Sequence, residues 1–204
     1  MVLDSYREVA DRVLVPIAKR VDADPNVLTV VAFFFAILAG ISFYLGSHWL
    51  LAGALFVFLN AFFDALDGKV AKVKKKETKR GDFLDHVLDR YADIIILGGI
   101  MLGPYCNPII GLLGLLAVMM ASYMGTQAQA MGVRRDYGGI LGRADRLVIL
   151  VVTPMIQYVL VYHNLIWIQI IGHWFTFFDF VMIYFLVAGT ITAVQRAVKT
   201  WRHI

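Results

Sequence analysis

Residues 64–93 read DALDGKVAKVKKKETKRGDFLDHVLDRYAD, and the reading of this stretch decides the fold. It begins where the apolar run Leu50–Phe63 ends, and it leads into a second apolar run that closes at Leu102. Acidic residues are costly in a membrane helix and mark function where they occur. Asp64 and Asp67 stand at i and i+3, and Asp85, Asp89 and Asp93 follow at i+4 steps, so each set lies on one face of a helix. The basic segment between the sets has the length of a hairpin loop. The two helices are therefore expected to be neighbours, with Asp64, Asp67, Asp85 and Asp89 meeting at one end of the membrane.

Four unpaired carboxylates at low dielectric repel one another strongly, so a cationic partner is required. Oxygen-only ligation favours a hard divalent ion such as Mg²⁺, Mn²⁺ or Ca²⁺. Two such ions bridged by shared carboxylates would balance the charge and suit phosphoryl transfer. The alternative is salt bridging to Lys69, Lys72, Arg80 and Arg90. Gly68 and Ala71 keep their helix face open to a backbone or phosphate; taken alone, they read as small residues for close helix packing.

Working outward, the chain of 204 residues is 60% hydrophobic, with mean hydropathy +0.72. That is more apolar surface than one soluble core of this size hides, since soluble domains run at about 45–50% apolar. Six candidate spans follow: Leu28–Gly46, Leu50–Phe63, Phe83–Leu102, Pro108–Met131, Leu147–Val161 and Phe175–Val194. Lys and Arg gather before the first span, between the second and third, between the fourth and fifth, and after the sixth. The loops around Ser47, Tyr105 and Asn164 hold none. This alternation predicts six spans with both termini and the acidic cluster on the cytoplasmic side of the cell membrane.

The expected fold class is thus all-α and integral to the membrane, one domain over residues 1–204. A six-helix bundle spans 25–200, preceded by an amphipathic cytoplasmic juxtamembrane helix over 1–21. In that helix Leu3, Val9, Val13, Leu14 and Ile17 are expected to face lipid. No cleavable signal peptide is expected. The lone cysteine, Cys106, excludes an internal disulfide. The basic residues sit at span ends and match no nucleic-acid-binding motif, so no nucleic-acid partner is expected.

The acidic stretch resembles the signature of the CDP-alcohol phosphatidyltransferase family, D-x2-D-G-x2-A-R-x8-G-x3-D-x3-D. The matching residues are Asp64, Asp67, Gly68, Ala71, Gly81, Asp85 and Asp89 at the family's spacings, with Lys72 where the family usually carries Arg. The resemblance implies a six-helix membrane enzyme, usually a homodimer, that transfers a phospho-lipid group from a CDP-activated lipid to an alcohol and releases CMP. It implies that Asp64, Asp67, Asp85 and Asp89 hold two divalent cations, Mg²⁺ or Mn²⁺, and that Asp89 is also the base. It places Gly68 and Thr78 on the CDP moiety, Lys72 on its phosphate, and Asn26 and Thr29 in the other nucleotide-contact region. Lys72 would act as a point charge where Arg is a planar fork.

The stretch Tyr123–Leu147 resembles the branch of the family whose acceptor is inositol phosphate; glycerol phosphate and serine are the alternatives. Gln127 and Gln129 stand where bacterial members often have Arg, which resembles archaeal members and a CDP-archaeol donor more than CDP-diacylglycerol. Arg134, Arg135, Arg143 and Arg146 are the candidate ligands of the acceptor phosphate, since Arg is favoured for oxyanions; the alternative role of Arg143 and Arg146 is topological anchoring. Asp145 is expected to point elsewhere, His86 to turn away from the Asp85/Asp89 face, and the scattered Met residues to fill gaps. Trp49, Trp167, Trp174 and Trp201 read as an interfacial aromatic belt. A small divalent-cation transporter is the reading from another class.

Overall fold

The computed structural model of the chain describes residues 7–133 and 138–204, with side chains from Asp11 onward. Helix α1 covers Arg7–Arg20, α2 Pro25–Leu45, α3 Trp49–Val73, α4 Lys79–Leu102, α5 Pro108–Ala130 and α6 Arg143–Tyr162. Two short strands follow, β1 at Ile168–Ile170 and β2 at His173–Phe175, before the last helix α7 at Phe177–Trp201. Five helices (α2, α3, α5, α6 and α7) are long and apolar enough to cross a membrane. Helix α4 is of similar length, but Asp82, Asp85, Asp89, Arg90 and Asp93 lie along it before its apolar end.

The helices start where capping chemistry predicts. The Asp24 side chain accepts from the Asn26 amide, and Pro25 opens α2. Helix α2 packs on α3 and α4, α5 on α7, and α3 on α6. One core runs through the bundle around Phe43, Leu50, Val57, Ile96, Met182 and Phe185. The α2–α4 contact is backbone to backbone: a Cβ built on Gly99 would lie 2.2 Å from the Gly40 carbonyl oxygen, whereas one on Gly98 meets nothing within 4 Å. Gly99→Ala is therefore expected to lower the thermal unfolding midpoint in detergent by an overpacking cost of about 1–3 kcal/mol. Gly98→Ala serves as control and should leave it unchanged or raised; equal midpoints for the two variants would refute the close approach.

Helix α1 differs from the expected lipid-facing amphipath. Leu14 and Ala18 are buried against Leu28, Leu66 and Val70, and Ile17 packs on the same cluster. Lys69 reaches Asp11 at 2.5 Å. The helix is held by α2 and α3, while Val13 remains exposed. Leu3 and the Val9 side chain lie outside the described residues.

At the end of α4 away from the carboxylates, Asp179 proves structural. Its Oδ2 accepts from the Thr176 amide at 2.8 Å and its Oδ1 from the Asn107 amide at 2.6 Å. This closes a capping box on α7 and ties in the α4–α5 connection.

A short hairpin in the connection before α7 is the one departure from helix in the described elements. Ile168, Gln169 and Ile170 pair antiparallel with Phe175, Trp174 and His173. The two-residue turn Ile171-Gly172 has φ +49° and +78°, the geometry of a tight hairpin turn. Trp167 and Trp174 are exposed on this hairpin.

Candidate active site

The span read as Leu50–Phe63 continues to Val73, so Asp64 and Asp67 lie inside α3 rather than at its end. Asp64 lies more than two turns, and Asp67 more than one, before the helix stops. The connection to α4 is the short segment 74–78, and the Thr78 hydroxyl accepts from the Gly81 amide at 3.0 Å to cap α4. Asp85 and Asp89 then fall in the first turns of α4. Asp67 and Asp89 are buried, and Asp64 and Asp85 partly so.

Gly81 has a local reason. A Cβ there would come within 3.1 Å of the Asn26 Oδ1, so glycine lets the first turn of α4 sit beside the mouth of α2. Gly68 has a different one. A Cβ at Gly68 would meet nothing within 4 Å, so this glycine does not serve helix packing.

Gly68 instead opens onto a cavity of about 620 Å³ between the starts of α2 and α4 and the end of α3. Asn26, Thr29, Gly68, Lys72 and Thr78 all line it, together with Asp64, Asp67 and Asp85. The volume falls within the range of small-molecule and cofactor sites. Thr29 and Thr78 also carry structural bonds: the Thr29 hydroxyl donates to the Pro25 carbonyl at 3.0 Å, and Thr78 is the α4 cap. Outside the membrane helices, the Lys74 ammonium donates to Asp22 at 3.0 Å and holds that carboxylate below its ordinary range. The pair ties the end of α3 to the linker before α2.

Asp89 lines a small recess shared with Asp64, Thr29 and Asn60. Asn60 was not singled out in the sequence, although an amide inside an apolar run is a signal. Its Nδ2 donates to the Ala32 carbonyl at 2.9 Å, while its Oδ1 is buried without a partner among the described residues.

The donor set fits divalent cations. Asp67 Oδ2 is buried with no hydrogen-bond partner among the described residues. Asp85, His86 and Asp89 each offer a ligand atom, all within 4.8 Å of one another. Hard carboxylate oxygens dominate this set, as Mg²⁺ and Mn²⁺ prefer. His86 departs from its expected orientation: its Nδ1 lies 3.5 Å from Asp85 Oδ2 and its Nε2 3.6 Å from Asp82 Oδ1.

The salt-bridging alternative holds only in part. Lys69 pairs with Asp11, away from the cluster, and Arg90 lies 3.7 Å from Asp89 and 3.4 Å from Asp93. A closer cation comes from α6. Arg143 Nη1 donates to Asp64 Oδ2 at 2.9 Å, and its Nη2 contacts Asp89 Oδ1. Arg146, one turn on, is buried and donates through Nη2 to Asp93 Oδ2 at 2.9 Å. The guanidinium groups of both pair with carboxylates of α3 and α4. Arg143 and Arg146 approach the carboxylates from α6, and neither lines the large cavity. Arg134 and Arg135 lie outside the described residues. Asp145 caps its own helix by accepting from the Gly142 amide at 3.1 Å, rather than holding an arginine.

Arg196 was grouped in the sequence with the basic C-terminal residues, yet it is buried. It donates to the Ala121 carbonyl at 2.6 Å and to the Gly138 carbonyl at 2.9 Å. The Leu141 amide donates to Thr192 Oγ1 at 3.0 Å. Gly139, at φ +126°, passes so close to Thr192 that a Cβ would lie 2.4 Å from its methyl group. These contacts fasten the glycine-rich loop to α7 just before Arg143.

A helical membrane bundle with a carboxylate cluster between α3 and α4, a cavity on one side and arginines on the other, is the arrangement of a membrane-embedded enzyme. The sequence profile of the CDP-alcohol phosphatidyltransferase family matches residues 23–183, and the chain belongs to that family. It is 32% identical over 202 residues to the archaetidylinositol phosphate synthase of Methanothermobacter thermautotrophicus, covering 99% of this chain and 95% of that one. It is also 32% identical over 210 residues to the phosphatidylinositol phosphate synthase of Cutibacterium acnes, covering 98% of each. Crystal structures of the Mycobacterium tuberculosis phosphatidylinositol phosphate synthase have the same fold at 28% identity. The CDP-DAG-bound form gives a TM-score of 0.73 over 93% of this chain and 94% of that one. The form with manganese and citrate gives 0.74 over 93% and 89%. Family membership removes the cation-transporter reading.

Proposed function

We propose that this chain transfers a phospho-lipid group from CDP-archaeol or CDP-diacylglycerol to a hydroxyl of inositol phosphate, releasing CMP. The observation that carries the reading is that Asp64, Asp67, Gly68, Lys72, Gly81 and Asp85 all line one cavity of about 620 Å³. The likeness to archaeal and bacterial inositol-phosphate synthases supports the acceptor.

In this reading the cavity receives the CDP moiety. Gly68 leaves room for it, Asn26, Thr29 and Thr78 offer polar contacts, and Lys72 meets a phosphate. Asp64, Asp67, Asp85 and Asp89 would hold two divalent cations. Bound there, such ions neutralise the pyrophosphate and stabilise the entering and leaving oxygens. Asp89 accepts the proton of the acceptor hydroxyl as its oxygen bonds to the lipid-side phosphorus and the bond from that phosphorus to the CMP oxygen breaks. Arg143 and Arg146, with Arg134 and Arg135 across the loop, bind the acceptor's phosphate.

The same reading takes α4 as a sixth span, apolar from Ile94 to Leu102 beyond its acidic half, with both termini and the site cytoplasmic. It takes the enzyme as a homodimer, which light scattering of the purified protein checks.

The test is CMP release from each CDP-lipid with a panel of inositol phosphate, glycerol phosphate, serine and inositol. Inositol phosphate should give the highest kcat/KM. Arg143→Ala and Arg146→Ala should raise its KM about ten- to hundred-fold, the scale of a hydrogen bond to a charged group, with the CDP-lipid KM little changed. Preference for unphosphorylated serine or inositol would refute the acceptor.

A further inference from the structure

Asp93 lies one turn beyond Asp89 on α4, outside the four carboxylates of the family signature. It is buried, 5% exposed, and its Oδ2 faces two guanidinium groups: Arg146 Nη2 at 2.9 Å and Arg90 Nη1 at 3.4 Å. Arg146 is itself only 4% exposed. A stability role alone explains this poorly, because a buried ion pair is often no better than well-packed apolar side chains of the same volume.

The donor inventory points further. A guanidinium carries five N–H donors in a rigid fork. Among the described residues, Arg146 bonds the protein only through Nη2 to Asp93. The other nitrogens of this positively charged fork have no protein acceptor among the described residues. An arginine whose donors are unspent inside the bundle, one turn from Arg143 and the catalytic carboxylates, is built to receive an anion.

We propose that Asp93 is a positioning residue for the acceptor. It fixes one arm of Arg146, so that the free side of the fork is presented to the acceptor's phosphate, and this favours a phosphorylated alcohol over a neutral one. The inference rests on the reading of Arg146 as an acceptor ligand. Arg90 steadies the same carboxylate from within α4. The i, i+4 placement of Asp89 and Asp93 thereby sets the base and the carboxylate that holds Arg146 in register on one face of α4.

The test compares wild type, Asp93→Asn, Asp93→Glu, Arg146→Gln and the Asp93→Asn/Arg146→Gln pair, reading KM for inositol phosphate, KM for the CDP-lipid, and Mn²⁺ affinity. Asp93→Asn should raise the acceptor KM about ten-fold or more, on the scale of one charged hydrogen bond, while the other two readouts stay within about two-fold. Asp93→Glu keeps the charge and should recover part of the loss. On the Arg146→Gln background, adding Asp93→Asn should change the acceptor KM by less than about two-fold, since the group it positions is gone. An unchanged acceptor KM in Asp93→Asn overturns the proposal, as does a full additive effect in the pair. If Asp93→Asn fails to fold, Asp93→Glu decides: a raised acceptor KM at constant CDP-lipid KM supports the role, and a wild-type value overturns it. An Arg146→Gln enzyme with normal acceptor KM sinks the acceptor reading itself, whatever Asp93 does.

Discussion

Stripping divalent cations from the purified enzyme is expected to abolish CMP release, and Mg²⁺ or Mn²⁺ to restore it. The reason lies in charge. Asp64, Asp67, Asp85 and Asp89 gather at the junction of α3 and α4, and α6 brings Arg143 to two of them. Asp67 Oδ2 remains buried and without a hydrogen-bond partner among the described residues. A buried unpaired carboxylate oxygen costs several kcal/mol by the usual scale of charge burial, so a ligand is needed there. A CDP-lipid brings further negative charge to the same cavity. Asp64→Asn, Asp67→Asn and Asp85→Asn should each lose most activity and weaken Mn²⁺ binding, measured by paramagnetic resonance apart from turnover. An amide keeps the shape but removes the charge that holds the ion. Full turnover in excess chelator, or Asp67→Asn with wild-type Mn²⁺ affinity, would refute the metal role.

How much of this was legible before the structure differs from element to element. The acidic register was, because i+3 and i+4 spacings map directly onto one helix face. The hairpin of α3 and α4 followed from it. The end of α3 was not, because hydropathy falls at Asp64 although the helix continues to Val73; backbone hydrogen bonding does not stop where side chains turn polar. The strands at Ile168–Ile170 and His173–Phe175 escaped for a related reason. Each is three residues long, and the turn is made by Ile171-Gly172 rather than the Asn-Gly or Asp-Gly that signals such a turn.

In the site, residues tied to the signature were legible, and those whose role depends on a partner far along the chain were not. The lining of the large cavity by Asn26, Thr29, Gly68, Lys72 and Thr78 combines segments about fifty residues apart. That grouping was carried by the family resemblance. Arg196 and Asn60 each look like an ordinary polar residue in sequence, and Asp93 was legible as part of the i+4 acidic register but not by its partners. Their meaning lies in the carbonyls and guanidinium groups that α2, α5 and α6 bring to them. Asp179, an acid at the start of the last helix, takes its meaning from capping: its bonds to Thr176 and Asn107 are structural.

Asp89→Asn is expected to lower kcat by about 10²–10⁴-fold, the usual contribution of a general base, while CDP-lipid binding stays near wild type. Asp89 is buried, lines the recess beside Asp64, and contacts Arg143 of α6. A hydroxyl arriving from the arginine side to attack phosphorus on the cavity side must pass its proton in this region. A carboxylate can take that proton and an amide cannot. Two other roles would also slow the variant, and each leaves its own mark. If Asp89 served only to hold a metal, Asp89→Asn would lose Mn²⁺ affinity in proportion to kcat, and excess Mn²⁺ would restore the rate. If it served only to hold Arg143, then Arg143→Ala at saturating inositol phosphate would show the same fall in kcat. The base role predicts that Arg143→Ala retains most of its kcat once the acceptor is saturating, and that no Mn²⁺ concentration rescues Asp89→Asn. A near-normal kcat in Asp89→Asn would remove Asp89 as the base.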